Sequence, residues 1–218
     1  MSVILLVRHG QASFGAEDYD QLSPFGEEQS AILGRALAAR GVRPTRIVAG
    51  AMKRHAQTAA FAAEAAGWEL PLEIDGGWDE FDHLQMLAVH TPPETDEAVS
   101  EKAAFQRWFE EASAKWTSGR HDHEYDEPFG DFTGRVDAAL ARLASSLAPA
   151  DTAVVFTSGG PVSWAATSLL DGDAGLWLKL NPVTVNTAIT KIVIGRRGMT
   201  LVSLNDHGHL EPDGLTYR

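Results

Sequence analysis

An unbroken apolar run at the start of the chain constrains the fold more than any other feature. The run reads VILLVRHG, and its five consecutive apolar residues include the β-branched Val3, Ile4 and Val7. It has neither the two-residue alternation of a half-exposed strand nor the 3.6-residue period of an amphipathic helix. It therefore predicts a strand buried on both faces, as in parallel sheets covered by helices on two sides.

The polar residues that follow this strand are suited to an anionic ligand. Arg8 and His9 come directly after the apolar residues, at the carboxyl end of the predicted strand. In parallel α/β sheets this edge is where ligands bind, because the loops that leave it are not covered by helices. A guanidinium and an imidazole at that position favour an anion.

Length and composition predict one folded domain over residues 1–218. Hydrophobic residues make up 44% of the 218-residue chain and charged residues 22%, as in ordinary globular proteins. The chain has zero cysteines, which excludes disulfides, thiolate nucleophiles and cysteine-ligated metals. No apolar run approaches the length that spans a membrane, and the N-terminus lacks a signal-peptide pattern, so we expect a cytoplasmic protein.

The charge balance is acidic. There are 18 basic and 30 acidic residues, for a net charge of −12. A field of this sign repels nucleic acids and anionic membrane surfaces, so we expect neither as a partner. A phosphate site in such a chain has to be made locally by a few converging Arg, His and backbone N–H groups.

Further apolar strands and periodic helices predict the architecture. The fold class that they predict is α/β: a three-layer α/β/α sandwich with a mostly parallel sheet, an antiparallel edge strand and a helical lid insertion. The predicted strands are 3–8, 46–49, 70–74, 153–157, 188–194 and 199–204, of which the last two form a hairpin. The predicted helices are 24–40, one from about 52, 97–116, 129–147 and 162–170, and the insertion covers about 84–131.

Two of these helices carry a small or aromatic stripe that indicates a packing face. In the helix from Met52 the predicted face against the sheet consists of Ala56, Ala59, Ala60 and Ala63. In the insertion helix the predicted core-facing residues are Phe105, Trp108, Phe109, Ala112 and Trp116.

An apolar strand that runs into Arg8, His9 and Gly10 resembles the histidine phosphatase superfamily, which includes the phosphoglycerate mutases. The second phosphate-binding arginine of that family lies in an Arg-x-x-Gln-Thr-Ala context, and the sequence RHAQTA that begins at Arg54 matches it. An Asn-Asp-x-x-His-Leu closing element of the family is matched from Asn205 to Leu210. The resemblance thus covers nearly the whole chain.

The resemblance implies roles for individual residues. It implies that His9 accepts the phosphoryl group, with Arg8 also catalytic and with Arg8, His9 and Arg54 binding the phosphate. In the family a glutamate after the third strand protonates the leaving oxygen, and Glu80 is the best match. Its neighbours Asp79 and Asp82 are the alternatives for that role.

Ser158 is where this sequence departs from the family. The family places a second histidine at this strand-to-helix junction, in a His-Gly-Gly setting, whereas this chain has Ser158 followed by Gly159. We expect Ser158 and Gly159 still to bind phosphate through a hydroxyl and backbone N–H groups at the helix start. Chemistry is expected to be slower than with a histidine, unless His83 or His90 fills the gap.

The function that the sequence favours is hydrolysis of a phosphate monoester, a small phosphorylated substrate, through a phosphohistidine on His9. The alternatives are a phosphoglycerate-mutase-type phosphotransferase and a binding protein with low turnover. An unrelated α/β protein with chance motifs is a third. Residues 11–20 lack the aromatic and Asn-containing segments of the mutases, which favours hydrolysis. We expect a monomer or homodimer with no cofactor and no metal. In the opposite case the candidate metal ligands are His121 and His123 or the C-terminal histidines.

Overall fold

The computed structural model describes residues 1–13, 20–92 and 100–217, and in this part of the chain six strands form one sheet. The strands are β1 (Ser2–Arg8), β2 (Arg46–Ala49), β3 (Leu72–Ile74), β4 (Thr152–Thr157), β5 (Ile189–Gly195) and β6 (Gly198–Asp206). Their order is β3-β2-β4-β1-β5-β6. The pairs β3–β2, β2–β4 and β4–β1 are parallel, and β5 runs antiparallel to both β1 and β6. The predicted mostly parallel sheet with an antiparallel hairpin at one edge is confirmed.

Seven α-helices lie in the described ranges and accompany this sheet. They are α1 (Pro24–Ala39), α2 (Lys53–Ala66), α3 (His83–Ala88), α4 (Glu101–Thr117), α5 (Phe129–Ser146), α6 (Gly159–Leu169) and α7 (Ala174–Leu180). Helix α1 begins where the sequence predicts, because Ser23 Oγ accepts the backbone N–H of Gly26 and Pro24 fits the first helical position. None of the described helices is both long and apolar enough to cross a lipid bilayer.

The sheet is buried on both faces, as the apolar run of β1 predicts. Ile4 and Leu6 belong to one core cluster, which α4, α5, α6 and α7 cover. Leu5 and Val7 point to the opposite face and pack with Leu33 of α1 and other residues of α1 and α2. Alternate side chains of one strand therefore contribute to two cores, and the three-layer α/β/α arrangement is confirmed.

An aromatic cluster fixes the segment that follows β3. The Phe81 ring stacks on Trp116 of α4 with centroids 4.8 Å apart and meets the edges of Phe132 and Trp177 at 5.7 Å. Trp116, Phe132 and Trp177 are almost fully buried. Aromatic pairs in these geometries add about 0.5–1.5 kcal/mol each beyond their burial. The backbone next to Phe81, which includes Glu80, is therefore held in one position.

Several predicted boundaries differ from the structure. The strand predicted over 70–74 begins only at Leu72, and the helix predicted from Val162 begins three residues earlier at Gly159. The short helices α3 and α7 are additional to the prediction, because six or seven residues are too few to show a clear period. The predicted start of the insertion helix at Glu97 lies outside the described residues, as do residues 14–19 of the loop after β1.

The predicted packing face of α2 is right for Ala59, which is buried, and for Ala63, which packs against the core, but it is wrong for Ala60. Ala60 is exposed, and the buried residues are Arg54, His55, Thr58, Ala59 and Ala62. Thr58 shows how a polar side chain is accommodated on this face. Thr58 Oγ1 accepts the backbone N–H of Gly10 at 3.0 Å and donates to the carbonyl of Arg54 at 2.7 Å. The helix is therefore rotated so that charged and polar side chains, rather than a purely alanine stripe, face the strand ends.

Candidate active site

The parallel strands bring four polar segments to one edge of the sheet. In the register of β1 and β4, Arg8 pairs with Thr157, so His9 and Ser158 follow at equivalent positions. The parallel strands β2 and β3 also end at this edge, so the loops that follow them begin there. A cavity of about 480 Å³ opens there, and Arg8, His9, Arg54, Glu80 and Gly159 all contribute to its lining. The structure thus brings together the predicted site residues. The exception is Ser158, which precedes Gly159, is fully buried and is not among the residues that line the cavity.

His9 is held in one tautomer. Its ring is 6% exposed, and Nδ1 lies 2.6 Å from the carbonyl oxygen of Gly10, to which it can only donate. Nε2 accepts the Nε–H of Arg54 at 3.2 Å, so this nitrogen carries the lone pair. Burial, together with the positive charges of Arg54 and Arg8, holds the pKa of His9 well below its usual range. The ring is therefore neutral, with its nucleophilic nitrogen beside a guanidinium.

The backbone of His9 is fixed as well. Its N–H donates to the Thr157 carbonyl at 2.8 Å, and its carbonyl accepts the side-chain amide of the buried Asn186 at 2.9 Å. Asn186 comes just before β5, and the sequence shows no feature that singles it out. It positions the candidate nucleophile from a part of the chain far from β1.

The two arginines approach from different elements. Arg54 lies in the first turn of α2, is 4% exposed, and its Nη1 donates to Asp20 at 2.8 Å. Arg8 ends β1, and its Nη1 donates to the carbonyls of Thr184 and Tyr217. Both guanidiniums line the cavity, and both lower the pKa of His9. Two positive charges therefore act on the histidine ring.

Of the three candidate acids Asp79, Glu80 and Asp82, Glu80 is the one that lines the cavity. Its Oε2 accepts the backbone N–H of Gly160 at 3.1 Å, in the first turn of α6. A Cβ on residue 160 would lie 2.1 Å from Oε1, so glycine at this position leaves room for the carboxyl group where it stands. Burial raises the pKa of Glu80, although the Gly160 N–H and the charges of Arg54 and Arg8 oppose the shift. The group is thereby biased toward the protonated form that a proton donor needs.

The two alternatives to Glu80 have other contacts. Asp82 is exposed and caps α3 by accepting the backbone N–H groups of Leu84 and Gln85. Asp79 accepts the backbone N–H of Ala51 at 2.5 Å, and burial raises its pKa. Neither is among the residues that line the cavity.

The imidazole at the β4 end comes from a residue that the sequence prediction does not include. Ser158 is fully buried at the start of α6, and its Oγ lies 2.6 Å from Nε2 of His55, which is also fully buried. Of the two histidines that the sequence left open for this gap, His90 is not among the residues that line the cavity and lies 3.6 Å from Glu111. His83 lines the cavity, but the ring that contacts Ser158 is that of His55.

A sequence signal for His55 exists in retrospect. Residues 55, 58, 59 and 62 follow the i, i+3, i+4, i+7 spacing of a buried helix face, and all four are buried. Two of the four, His55 and Thr58, are polar. A buried face predicted from apolar residues alone therefore omits them. The stripe of α4 contains a similar exception, since Phe105 is 37% exposed and lines the cavity instead of the core.

The walls of the cavity beyond the arginines are mostly apolar. They are formed by Phe81, Phe105, Phe109, Trp177, Leu178 and Pro182. Glu110 adds a further acidic group. Among the described lining residues, Arg8 and Arg54 are the arginines and there is no lysine, so the strongly basic groups lie at one end.

The remaining histidine clusters are engaged elsewhere. His121 Nδ1 lies 2.9 Å from Glu124, which also binds Lys115 at 2.6 Å. His209 Nε2 lies 3.1 Å from Thr187 Oγ1, and burial lowers the pKa of His209 to about 4. Within residues 1–13, 20–92 and 100–217, no three His, Asp or Glu side chains form a group that could hold a metal ion.

Comparisons with known proteins agree with this geometry. Residues 4–207 match the family model of the histidine phosphatase superfamily (branch 1). A segment of 74 residues is 42% identical to a 2,3-bisphosphoglycerate-dependent phosphoglycerate mutase of Thermobifida fusca (strain YX). This segment covers 31% of the chain and only 30% of the length of that mutase.

Solved structures with low sequence identity share the fold. The Bacillus stearothermophilus protein YhfR is 19% identical, with a TM-score of 0.71 over 97% of this chain and 100% of its own. A phosphoserine phosphatase variant from Entamoeba histolytica, solved with phosphoserine, is 18% identical, with a TM-score of 0.69 over 97% of this chain and 100% of its own.

Proposed function

The chain belongs to the histidine phosphatase superfamily, and we propose that it hydrolyses a phosphate monoester through a phosphohistidine formed on His9. The observation that carries the proposal is the state of the His9 ring. Its Nδ1 proton is bound to the Gly10 carbonyl and its Nε2 lone pair faces the guanidinium of Arg54. A neutral imidazole with a fixed tautomer is a competent nucleophile, and the adjacent cation marks where a phosphate oxygen would bind.

The first step transfers the phosphoryl group to His9. The substrate phosphate binds against Arg8 and Arg54, and the Arg54 N–H that now contacts Nε2 donates to a phosphate oxygen instead. Nε2 forms a bond to phosphorus while the bond to the ester oxygen breaks. Protonated Glu80 gives its proton to that leaving oxygen. Fixed cations around the transferred group stabilise its developing charge, which is the main contribution a protein makes to phosphoryl transfer.

The second step releases phosphate and restores the site. Glu80, now a carboxylate, accepts a proton from a water molecule as the water oxygen attacks phosphorus. The phosphorus–nitrogen bond breaks, inorganic phosphate leaves, and His9 and protonated Glu80 return to their starting states. The position of Glu80 at the cavity, bound to the Gly160 N–H, supports its use in both steps.

The cavity walls support hydrolysis of a substrate with one phosphate and an apolar alcohol. Arg8 and Arg54 account for the phosphate group, and beyond them the described lining combines aromatic and aliphatic side chains with the polar His83, Gln106, Ser113 and Asn181 and the acidic Glu110. A second anionic group on the substrate, such as the carboxylate of a phosphoglycerate, would share the cavity with Glu110, and the described lining offers it no lysine and no third arginine. An aryl or alkyl phosphate instead buries apolar surface against Phe105 and Phe109, at about 25 cal/mol per Å².

The test combines turnover with trapping of the intermediate. Purified protein should hydrolyse p-nitrophenyl phosphate and a naphthyl phosphate faster than 3-phosphoglycerate, and it should not interconvert 2- and 3-phosphoglycerate. Incubation with a labelled aryl phosphate, followed by an alkaline quench, should place alkali-stable, acid-labile label on His9. The His9→Ala variant should lose both label and activity, by about 10⁴-fold or more in kcat.

The other outcomes discriminate between the alternatives. Interconversion of phosphoglycerates would establish a mutase. Phosphate binding without turnover would establish a binding protein. Label on a residue other than His9, or full activity of His9→Ala, would contradict the proposed chemistry.

A further inference from the structure

A second imidazole lies beside the candidate nucleophile and is not used by the mechanism above. The rings of His9 and His55 have centroids 5.7 Å apart. His55 Nε2 lies 2.6 Å from Ser158 Oγ, and both residues are 0% exposed. Ser158 directly precedes Gly159, which lines the cavity. A buried hydroxyl and a buried imidazole are thus joined at the edge of the proposed phosphate site.

The surroundings of His55 are shaped to its ring. A Cβ on Gly50 would lie 2.3 Å from His55 Nδ1 and 2.7 Å from Asp79 Oδ1, so residue 50 has to be glycine while the ring occupies this position. Nδ1 itself has no hydrogen-bond partner among the described residues, and the nearest acid, Asp79, lies 3.9 Å away. A buried nitrogen without a hydrogen bond destabilises the folded state, so packing alone does not account for a histidine at this position.

The hydroxyl of Ser158 has one proton, and the state of His55 decides where that proton points. With the ring protonated on Nδ1 alone, Nε2 accepts from Ser158 and the hydroxyl proton is directed away from the cavity. With Nε2 protonated, Nε2–H donates to Oγ, and the hydroxyl proton is available for another acceptor. Ser158 makes no capping hydrogen bond to the first turn of α6, so no such bond competes for its Oγ.

We propose, on the basis of the phosphatase function proposed above, that His55 is a positioning residue that acts through Ser158. When a phosphoryl group occupies the site, His55 takes up a proton from solvent on its ring. Nε2–H then donates to Ser158 Oγ, Nδ1–H faces Asp79, and the Ser158 hydroxyl donates to a phosphoryl oxygen. A positively charged imidazole, that of His55 in α2, then lies next to Ser158 at the end of β4.

The charged groups around His55 explain why phosphate would trigger this change. The charge of Arg54 on the same helix acts on the ring, His9 after β1 lies with its ring centroid 5.7 Å away, and Asp79 lies 3.9 Å from Nδ1. Burial and the charge of Arg54 hold the pKa of His55 well below its usual range in the empty site. A phosphate dianion beside Arg54 offsets that positive charge and raises the pKa of His55, so binding of the anion and uptake of the proton favour each other.

The kinetic test uses His55→Gln, Ser158→Ala and the double variant. Each single variant is expected to lower kcat for p-nitrophenyl phosphate by about 10²-fold, the usual effect of removing one preorganised donor, with little change in KM. The double variant should be no slower than either single one, because the two residues act as a unit. His90→Gln, outside the cavity, is the matched control and should keep the wild-type rate. Retained activity of His55→Gln, or additive losses, would overturn the proposal.

A second measurement observes the proton directly and keeps the test independent of turnover. In protein with ¹⁵N-labelled histidine, the His55 signals, assigned by their loss in His55→Gln, should move from neutral to imidazolium positions on saturation with inorganic phosphate at constant pH. Signals that remain neutral, or a failure of phosphate to bind, would overturn the assignment to His55. Absence of wild-type turnover together with the expected shift would instead overturn the proposed phosphatase activity.

Exchange of the two residues gives a rescue. In His55→Ala the space beside Ser158 is vacated, so His55→Ala combined with Ser158→His should place an imidazole in the same volume from the other side. The combined variant is expected to be faster than His55→Ala alone. A combined variant that is folded by circular dichroism but no faster would show that the imidazole is not what the site needs.

Discussion

The ends of β1 and β4 are equivalent in the sheet but differ in how they present their chemistry. The two strands are parallel neighbours in register, so His9 and Ser158 occupy matching positions. At the end of β1 the side chain that follows the strand lines the cavity itself. At the end of β4 the side chain is a buried serine, and the imidazole bound to it belongs to His55 of α2. A ring nitrogen can therefore be brought to a strand end by a neighbouring helix as well as by the strand.

The difference shows that serine in place of the family's second histidine does not by itself remove an imidazole from this end of the site. The resemblance implied a missing histidine at Ser158, whereas the structure has a histidine within hydrogen-bond distance of it. The two ends then differ mainly in directness: His9 would bond to phosphorus, and His55 would act through a hydroxyl. The following predictions test each end of this comparison.

The largest effect after loss of His9 is expected at Glu80, which is bound to the β4 side through the Gly160 N–H. Glu80→Gln keeps the shape but removes the proton, so alkyl phosphates should lose about 10²- to 10⁴-fold in kcat. p-Nitrophenyl phosphate should lose much less, since its leaving group departs without a proton. Asp82→Asn, which can still cap α3, is the control. Equal losses for both substrates would make the role of Glu80 structural.

The pH profile of the same variant gives a further check. Because burial raises the pKa of Glu80, the wild-type rate should fall as pH rises through that raised value, and Glu80→Gln should lack this alkaline limb. The acid limb belongs to His9, whose pKa is lowered, so activity should persist below the ordinary histidine range near about 6.5. An alkaline limb that persists in Glu80→Gln would assign it to another group.

At the β1 end, Arg54→Gln is expected to lower kcat/KM by about 10²- to 10³-fold, because it removes the cation beside His9 Nε2. Arg54→Lys should recover only part of this loss, since an ammonium lacks the fork that binds two phosphate oxygens. The measurement is steady-state hydrolysis of p-nitrophenyl phosphate. Unchanged kinetics in Arg54→Gln would exclude Arg54 from the phosphate site.

Gly50→Ala tests the end of β4, where His55 contacts Ser158, without removing any polar group. The new Cβ would lie 2.3 Å from His55 Nδ1, so it should displace the ring and reduce kcat by about 10-fold or more, short of the loss expected for a removed donor. Gly134→Ala is the matched control, because a Cβ there meets no atom within 4 Å and the residue is exposed in α5. It should leave kcat unchanged and raise stability by about 0.5–1 kcal/mol. Equal kinetics in the two variants would show that His55 does not need its observed position.

The smallest effect is expected from chelation. If the cations at both strand ends are side chains, protein treated with EDTA should hydrolyse p-nitrophenyl phosphate at the untreated rate. A loss of activity that Mg²⁺ or Zn²⁺ restores would point instead to His121 and His123 or to the C-terminal histidines. The rate before and after dialysis against EDTA is the measurement.

Local features of the sequence were sufficient to predict the framework. The apolar runs of β1 and β4 predict strands buried on both faces, and the structure confirms them. Ser23 followed by Pro24 predicts the start of α1, and the two apolar segments around residues 195–198 predict the hairpin. These predictions hold because burial on two faces, helix capping and tight turns depend on neighbouring residues. His9 and Arg54 could be placed at strand ends by the same means, whereas Glu80 was chosen over Asp79 and Asp82 through the family resemblance.

Only the tertiary structure decided which side chains meet. The sequence predicts a stripe of alanines as the buried face of α2, and Ala59 of that stripe is buried, but the helix is rotated so that His55 and Thr58 are buried beside it. Its rotation depends on partners from distant segments, such as the Gly10 N–H that binds Thr58 and the Ser158 hydroxyl that meets His55. A buried polar residue is stable only where such a partner exists, and the identity of that partner is not written within its own helix. For this reason the sequence by itself determined the strands and the candidate nucleophile His9, while the contact between His55 and Ser158 depends on how α2 packs against the sheet.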